Sequence, residues 1–292
     1  MWAIDGMANF LPYAGLPLLL VPAATLVMRH RVLALASALL LVAWLAVLLA
    51  PNLFFTHASA AAATGPKLRV VTANVLMSND QLPALADDVL AQDPDVIVFE
   101  ELQHDVATVS PRLAEAYPYR ISTSEPWVTI ASRFPLEDAQ RLQIASDDRG
   151  RDLLKTIINV NGQRLTLIGV HFMPPLNGEA FEVNRQQREL LEHTVDGVDG
   201  PLLVVGDFNA TTLSPTFARL LLGTHLRIAS TGHLMKPTYF TYGRLGVRID
   251  HVLTRRMDVV DDSVFSLTGS DHRGVSVELG LPDSSNAVAR TR

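Results

Sequence analysis

The sequence predicts a layered α/β domain behind an apolar N-terminal anchor, and three observations carry that expectation. Two long runs, Gly6 to Met28 and Val32 to Ala50, contain no charged residue. From Lys67 onward, short runs rich in Val, Ile and Leu alternate with segments of helical spacing, the pattern of sheets layered against helices. Acidic, amide and imidazole residues stand at the ends of those apolar runs, and α/β sheets gather their sites at strand ends.

Each uncharged run is about the length that crosses a bilayer core of roughly 30 Å. The pair is expected to form a transmembrane helical hairpin, residues 7–28 and 32–50, within an anchor spanning 1–55. Pro12, Pro17 and Pro22 predict kinks in its first arm. Arg29 and Arg31, in the turn, are the only Lys or Arg before Lys67. The positive-inside bias therefore places the turn in the cytoplasm and the rest of the chain outside the cell membrane. A second reading takes Ala58-Ser59-Ala60 as a signal-peptidase-like site, which also places the domain outside.

Residues 56–66 read as a linker, 67–281 as the folded domain and 282–292 as a disordered tail. With 30 acidic and 24 basic residues the chain carries a net charge of −6. Setting aside Asp5, Arg29 and Arg31 leaves 29 acidic against 22 basic residues from Lys67 on. That balance is a poor match for a tight duplex-DNA binder, which shows a basic face. The absence of cysteine excludes a disulfide or thiolate–metal scaffold.

In chain order, 67–75 reads as a strand, 82–92 as a helix stopped by Asp93-Pro94, 95–102 as a buried strand and 106–117 as a weaker helix. Residues 127–132, 153–160 and 164–172 are the clearest of the next strands. A long helix over 178–197 carries Phe181, Leu190, Leu191 and Val195 near one face. Residues 201–208 form a strand, 216–222 a short helix, and 247–254, 258–267 and 274–280 closing strands.

The polar residues in or after these strands are Asn74, Glu100 with Glu101, His171, Asp207 with Asn209, Asp250 with His251, and Asp271 with His272. Taken singly, each has a plain reading, as a turn cap or a satisfied core histidine. Five strands ending this way are harder to explain so, because burying carboxylates is costly unless they are paired or bound to metal. Oxygen donors without thiolates suit a hard cation, Mg²⁺ or Mn²⁺, over zinc. An Asp can activate water, and a His held protonated by an Asp can stabilise phosphate oxygens in a transition state. Together these groups suffice for hydrolysis of a phosphoester or phosphoanhydride.

The ordered segments TANV, PDVIVFEEL, GVHF, GDFNA, RIDHV and SDHRG resemble the endonuclease/exonuclease/phosphatase (DNase I-like) superfamily, from about Leu68 to Leu279. The resemblance implies a four-layer sandwich of two packed mixed β-sheets flanked by helices, and a Mg²⁺-dependent hydrolase. It implies Glu101, Asn74 and Asp271 as metal-side residues and Asp207 as the residue that activates water. Asn209 would contact the scissile phosphate, His272 would bind phosphate oxygens with Asp250 orienting it, and His171 would serve the leaving group. Glu100 would stand where the family commonly has Gln. Arg133, which the resemblance implies as a substrate contact, keeps its place in WVTIASRFP, although the family's Gly-Asn is missing there. No phosphate-binding tyrosine loop and no Lys/Arg-rich arm of the DNA-repair branch is present.

Around this set, Arg185 and Arg188 are expected either to reach a substrate phosphate or to sit on a solvated helix face. His251 alternates away from Asp250 and reads as structural, and His193 as surface. Trp127, Tyr239 and Tyr242 either line the mouth or pack. The anchor also resembles membrane proteins of the teicoplanin-resistance VanJ type, which implies a lipid-linked pyrophosphate such as undecaprenyl pyrophosphate as substrate, with a role in glycopeptide resistance. The partners expected are the lipid bilayer and a phosphorylated lipid, with no protein partner. The other functions open at this point are an extracellular or membrane-bound nuclease and a non-catalytic wall-associated binding protein.

Overall fold

The computed structural model describes residues 2–56, 65–123, 125, 127–144, 151–230, 236–241 and 245–282. Most of the expected linker, Ala58-Ser59-Ala60, Tyr242 and the tail beyond Pro282 lie outside the described residues.

The N-terminal region holds α1 (Trp2–Ala8), α2 (Leu11–Ala14), a 3-10 turn (Leu16–Leu19), α3 (Val21–Val27) and α4 (Arg31–Phe54). The domain follows with β1 (Lys67–Asn74), α5 (Leu82–Leu90), β2 (Val96–Glu100), α6 (Val106–Val109), α7 (Pro111–Ala116), β3 (Tyr119–Ser122) and β4 (Val128–Ser132). Next come β5 (Leu136–Leu142), β6 (Leu153–Val160), β7 (Gln163–His171), α8 (Gly178–Asp196), β8 (Leu202–Asp207) and α9 (Pro215–Thr224). The last elements are β9 (Arg227–Ile228), β10 (Tyr239–Thr241), β11 (Leu245–Val247), β12 (Asp250–Arg255), β13 (Asp258–Ser266) and β14 (Arg273–Gly280).

Two six-stranded sheets, ordered β13-β14-β1-β2-β4-β3 and β5-β6-β7-β8-β12-β9, carry the domain. Both are mixed, because β1 pairs parallel to β2 and β7 parallel to β8 while their other pairings are antiparallel. Side chains alternate faces along each strand. Leu68 and Val70, Val96 and Val98, Leu203 and Val205 therefore meet in one core between the sheets. Val71, Ala73, Ile97 and Phe99 face the other way, onto Leu85 and Val89 of α5 and Leu113 of α7. Leu202 and Val204 pack outward onto Leu191 and Val195 of α8 and Phe217 of α9. The result is the expected four layers of helix, sheet, sheet and helix.

The structure does not show the expected two-span hairpin. Among the described residues one helix is long and apolar enough to cross a membrane, over Arg31–Pro51. The first run breaks into short pieces, because Pro12, Pro17 and Pro22 each occupy the first or second position of a new one. A proline there loses no hydrogen bond, whereas inside a continuous helix it would. Trp44 of α4 lies against Gly15 so closely that a Cβ there would sit 1.9 Å from the indole, and the indole N–H donates to the Leu11 carbonyl at 3.1 Å.

The start of the chain docks on the domain instead. Asp5 is buried, with 2% of its surface exposed. Its carboxylate accepts from Ser214 Oγ at 2.9 Å, from the Thr216 backbone N–H at 3.1 Å and from Thr216 Oγ1 at 2.7 Å. These donors open α9, where the helix dipole favours an anion. Asn9 Oδ1 accepts from the Thr211 N–H at 2.9 Å and hydroxyl at 3.0 Å, and the Tyr13 hydroxyl donates to the Gly246 carbonyl at 2.6 Å.

Candidate active site

The alternation that buries Leu68, Val70, Val96, Val98, Leu203 and Val205 between the sheets also decides which polar residues meet. Thr72 and Asn74, Glu100, His171, Asp207 and Asp250 continue the inward-facing series of β1, β2, β7, β8 and β12. The register places Asn74 beside Glu100, His171 beside Asp207, and Asp250 beside Asp207. The apolar core thus ends in a polar floor.

The chain bends sharply around that floor. Gly206 has φ +145°, and a Cβ on it would lie 1.9 Å from the Val170 carbonyl oxygen and 3.0 Å from Glu100 Oε1. Only glycine lets β8 pass β7 this closely and deliver Asp207. Glu101 and Asn209, one and two residues past their strand ends, adopt left-handed φ of 63° and 49°. That conformation is rare for a Glu, and it costs free energy that functional sites often store. It turns Glu101 out of the strand direction and onto the wall of a pocket of about 430 Å³ that also includes His171, Asp207, Asn209, Asp271 and His272.

Asn74 Nδ2 bridges Glu101 Oε1 at 3.3 Å and Asp207 Oδ2 at 3.2 Å. Glu101 Oε2 accepts from the Met77 N–H at 3.0 Å. Asp207 Oδ1 accepts from the Asn209 N–H at 2.7 Å, and Asn209 Nδ2 donates to the Phe172 carbonyl at 2.8 Å. His171 Nε2 lies 3.6 Å from Glu101 Oε1 and 3.7 Å from Asp207 Oδ2. His272 Nδ1 lies 3.0 and 3.2 Å from the two oxygens of Asp250, and its Nε2 lies 3.9 Å from Asp207 Oδ2. Ser270 Oγ fixes the last turn by donating to the Asn74 carbonyl at 2.8 Å and accepting from the His272 N–H at 3.0 Å. The Thr238 hydroxyl accepts from the Asp250 N–H at 3.1 Å.

Burial and neighbouring charge sort these groups into distinct protonation states. Burial would lower His272, but the charge and hydrogen bond of Asp250, with the charges of Asp207 and Asp271, outweigh it and raise it to about 10. His171 is held well below the usual value by burial, Arg151 and His272, so it is neutral. Burial, then the charge of Asp250, pushes Asp207 up to about 7. Glu100, fully buried and bonded to Thr72 at 2.8 Å, is raised well above the carboxylate range, first by burial and then by Asp250.

Asp207, Asp250 and His272 present ligand atoms all within 4.8 Å of one another. A set of carboxylate and amide oxygens with imidazole and no thiolate suits a hard divalent cation. The tight cluster is not the expected ligand set, however. Both oxygens of Asp250 already face a protonated His272, and an imidazolium cannot ligate. Glu101, Asn74 and Asp271 stand beside that cluster, with Glu101 and Asp271 on the pocket wall.

Two expected substrate contacts fall elsewhere. Arg133 follows β4, which runs antiparallel to β2 with Val128 opposite Glu100 and Ser132 opposite Val96. It therefore emerges at the opposite end of the sandwich, paired with Asp93 and Asp95 and stacked over Tyr117 at 5.3 Å. Arg185 lies on the exposed face of α8, paired with Glu182 and Glu189 one turn away on either side. Arg188 is buried over the Phe181 ring, and His193 is exposed. His251 is structural as expected: buried, donating through Nε2 to the Ala210 carbonyl at 3.0 Å and stacked 4.8 Å from Phe217. Tyr239 does line the pocket, and Trp127 lies 5.6 Å from the His171 ring.

Sequence reasoning missed Arg151, which lines the pocket, stacks over Trp127 at 4.4 Å and approaches His171 Nε2 at 3.4 Å. What places it is strand pairing: β6 is antiparallel to β7, with Leu154 opposite Gly169, so its start lies at the end that carries His171. It also missed Gly6, Asn9 and Phe10, which line the same pocket from the N-terminal region; nothing in an uncharged run marks them.

A sandwich whose inter-sheet core opens into an acid-and-imidazole pocket, with one histidine charged and one neutral, has the groups that phosphoester hydrolysis needs. Residues 71–272 match the Endonuclease/Exonuclease/phosphatase family, and the chain belongs to it. Among curated proteins none matches the sequence. Among solved structures, an endonuclease/exonuclease/phosphatase from Beutenbergia cavernae is similar at 21% identity and TM-score 0.63, over 74% of this chain and 72% of that one. Sphingomyelinase C from Streptomyces griseocarneus is similar at 20% identity and TM-score 0.54, over 74% and 100%. D. rerio TDP2 complexed with a single-strand DNA product is similar at 17% identity and TM-score 0.63, over 73% and 98%. At these identities the likeness carries the fold.

Proposed function

We propose that this protein is a membrane-anchored, divalent-metal-dependent phosphohydrolase, working outside the cell membrane on a lipid-linked phosphate or pyrophosphate such as undecaprenyl pyrophosphate. One observation carries the choice of substrate. Gly6, Asn9 and Phe10, from the segment that leads into the candidate span, form part of the wall of the catalytic pocket, so the reacting phosphate would sit beside the membrane anchor. The net negative charge supports a lipid over a nucleic acid. A role in glycopeptide resistance follows if the product feeds cell-wall synthesis.

Glu101, with Asn74 and Asp271, would hold Mg²⁺ or Mn²⁺, which supplies charge neutralisation at a phosphoryl oxygen. Asp207, poised near neutrality, accepts the proton of the attacking water. Asn209 holds Asp207 through its backbone N–H and presents its amide beside the phosphate. The water oxygen bonds to the terminal phosphorus as the bridging P–O bond breaks. Protonated His272, kept so by Asp250, stabilises the charge that grows on the phosphoryl oxygens. Neutral His171, with Arg151 beside it, serves the departing oxygen.

The test is phosphate release by purified full-length protein with Mg²⁺, from undecaprenyl pyrophosphate and, separately, nicking of plasmid DNA, with Asp207→Ala as control. Lipid turnover lost in the variant is the expected result. DNA nicking without lipid turnover would overturn the substrate and keep the site; turnover equal in wild type and variant would remove Asp207 from the site, and no turnover of either by wild type would favour a non-catalytic binding role.

A further inference from the structure

Behind the catalytic pocket lies a second cavity of about 440 Å³, well within the roughly 300–1,000 Å³ of small-molecule sites. Its walls come from two parts of the chain. Trp44, Leu48 and Pro51 of α4 form one side, and Leu213, Pro237 and Val247 of the domain form the other. Asn9 and Val247 line both cavities, so the two are neighbours across a shared wall.

Most of the polar atoms around this cavity are engaged within the protein, with His251 Nδ1 an exception. Asn9 Oδ1 is taken by Thr211, the Tyr13 hydroxyl by Gly246, the Trp44 N–H by Leu11 and His251 Nε2 by Ala210. Arg248 faces Asp262 at 3.9 Å. What remains for an occupant is mostly apolar surface, which favours a hydrocarbon over a polar ligand. The helix that supplies one wall is the candidate membrane span, and most of its apolar residues, Leu39, Leu40 and Leu49 among them, are exposed.

We infer that this cavity seats the hydrocarbon chain next to the phosphate of the lipid substrate, so that α4 is part of the substrate site as well as an anchor. The inference rests on the proposed lipid-phosphate reading and deepens it. Asn9 then stands where chain gives way to headgroup, with the phosphate over Asp207 and His272 and the first carbons between α4 and the domain.

The test uses the full-length protein in detergent and two cavity-filling variants from opposite walls, Leu213→Trp and Leu48→Trp. The readout is kcat/KM for geranylgeranyl pyrophosphate divided by that for a water-soluble p-nitrophenyl phosphodiester. Each variant is expected to lower this ratio roughly tenfold, the ~1.4 kcal/mol of about two methylene groups kept from burial. A photoreactive prenol with no phosphate should also label the cavity-lining peptides of wild type and label them less in both variants. An unchanged ratio with unchanged labelling overturns the tail site and leaves the proposed function standing. Labelling by a photoreactive phospholipid as strong as by the prenol would make the occupant a bilayer lipid, which also overturns it. Wild type that turns over the phosphodiester but no prenyl pyrophosphate would remove the lipid-phosphate reading itself.

Discussion

Replacing Asp250 by Asn should strip His272 of its proton at neutral pH. In the wild type, burial works against the charged ring, and the charge and hydrogen bond of Asp250 lead the contributions that carry it to about 10. At pH 7.5 the ring is therefore almost wholly protonated. Asparagine keeps an oxygen within reach of Nδ1 but removes the charge, while the burial stays. The ring then falls from about 10 toward its ordinary value of about 6.5, with the charges of Asp207 and Asp271 still opposing the burial; at about 6.5 only about one ring in ten is protonated at pH 7.5. Loss of the oriented imidazolium brings the fall in kcat to the order of 10²–10³. The assay is a pH–rate profile from pH 6 to 9 with saturating Mg²⁺, together with an NMR titration of the His272 ring. Wild type should show no limb from His272 in that range, whereas the variant should speed up as pH falls toward 6. The same shift stabilises the fold: the contribution is complete below about 6.5 and lost as pH rises through about 10. Superimposable profiles, or a wild-type His272 that titrates near 6.5, would refute the reasoning.

Asp207→Asn should abolish turnover yet stabilise the metal-free protein. A carboxylate raised to about 7 makes the fold lose stability as pH rises from about 4 through 7, so the variant should gain about 2–4 kcal/mol in urea unfolding at pH 8 with chelator; a loss would count against the charge crowding. Gly206→Ala drives a Cβ into the Val170 carbonyl and should cost at least about 3 kcal/mol; a Tm within a degree of wild type would show that β7 and β8 can part. Asp5→Ala leaves the start of α9 without its anion and should cost about 3 kcal/mol, read as faster proteolysis near the N-terminus; unchanged protection would mean the docking does not depend on that carboxylate.

The sandwich and its polar floor were legible because strand alternation shows in the sequence: the positions that follow Val70, Val98 and Val205 in phase are Thr72 and Asn74, Glu100, and Asp207. Which end of the sandwich a loop residue reaches depends on strand direction, which apolar patterning does not encode. Arg133 was expected at the site from its place in a family motif, and strand direction carries it to the other end; for the same reason Arg151, at the start of an antiparallel neighbour, was not expected. Arg185 carries a charge that suits phosphate, but helical spacing places Glu182 and Glu189 within reach of it, and local pairing wins on an exposed face. The first apolar run misled for a different reason. Hydropathy measures distaste for water, and a bilayer and a protein surface satisfy it equally, so Asn9 and Tyr13 could bond to the domain from within a run that reads as a span.

The carboxylate of Asp5, seated 209 residues away in sequence at the head of α9, ties down the chain on the near side of α4, while the polypeptide joins the domain on the far side as well. With α4 as the proposed anchor, an enzyme tethered once would tumble on its leash and sample every angle to the surface, whereas one held at two points would keep a fixed heading.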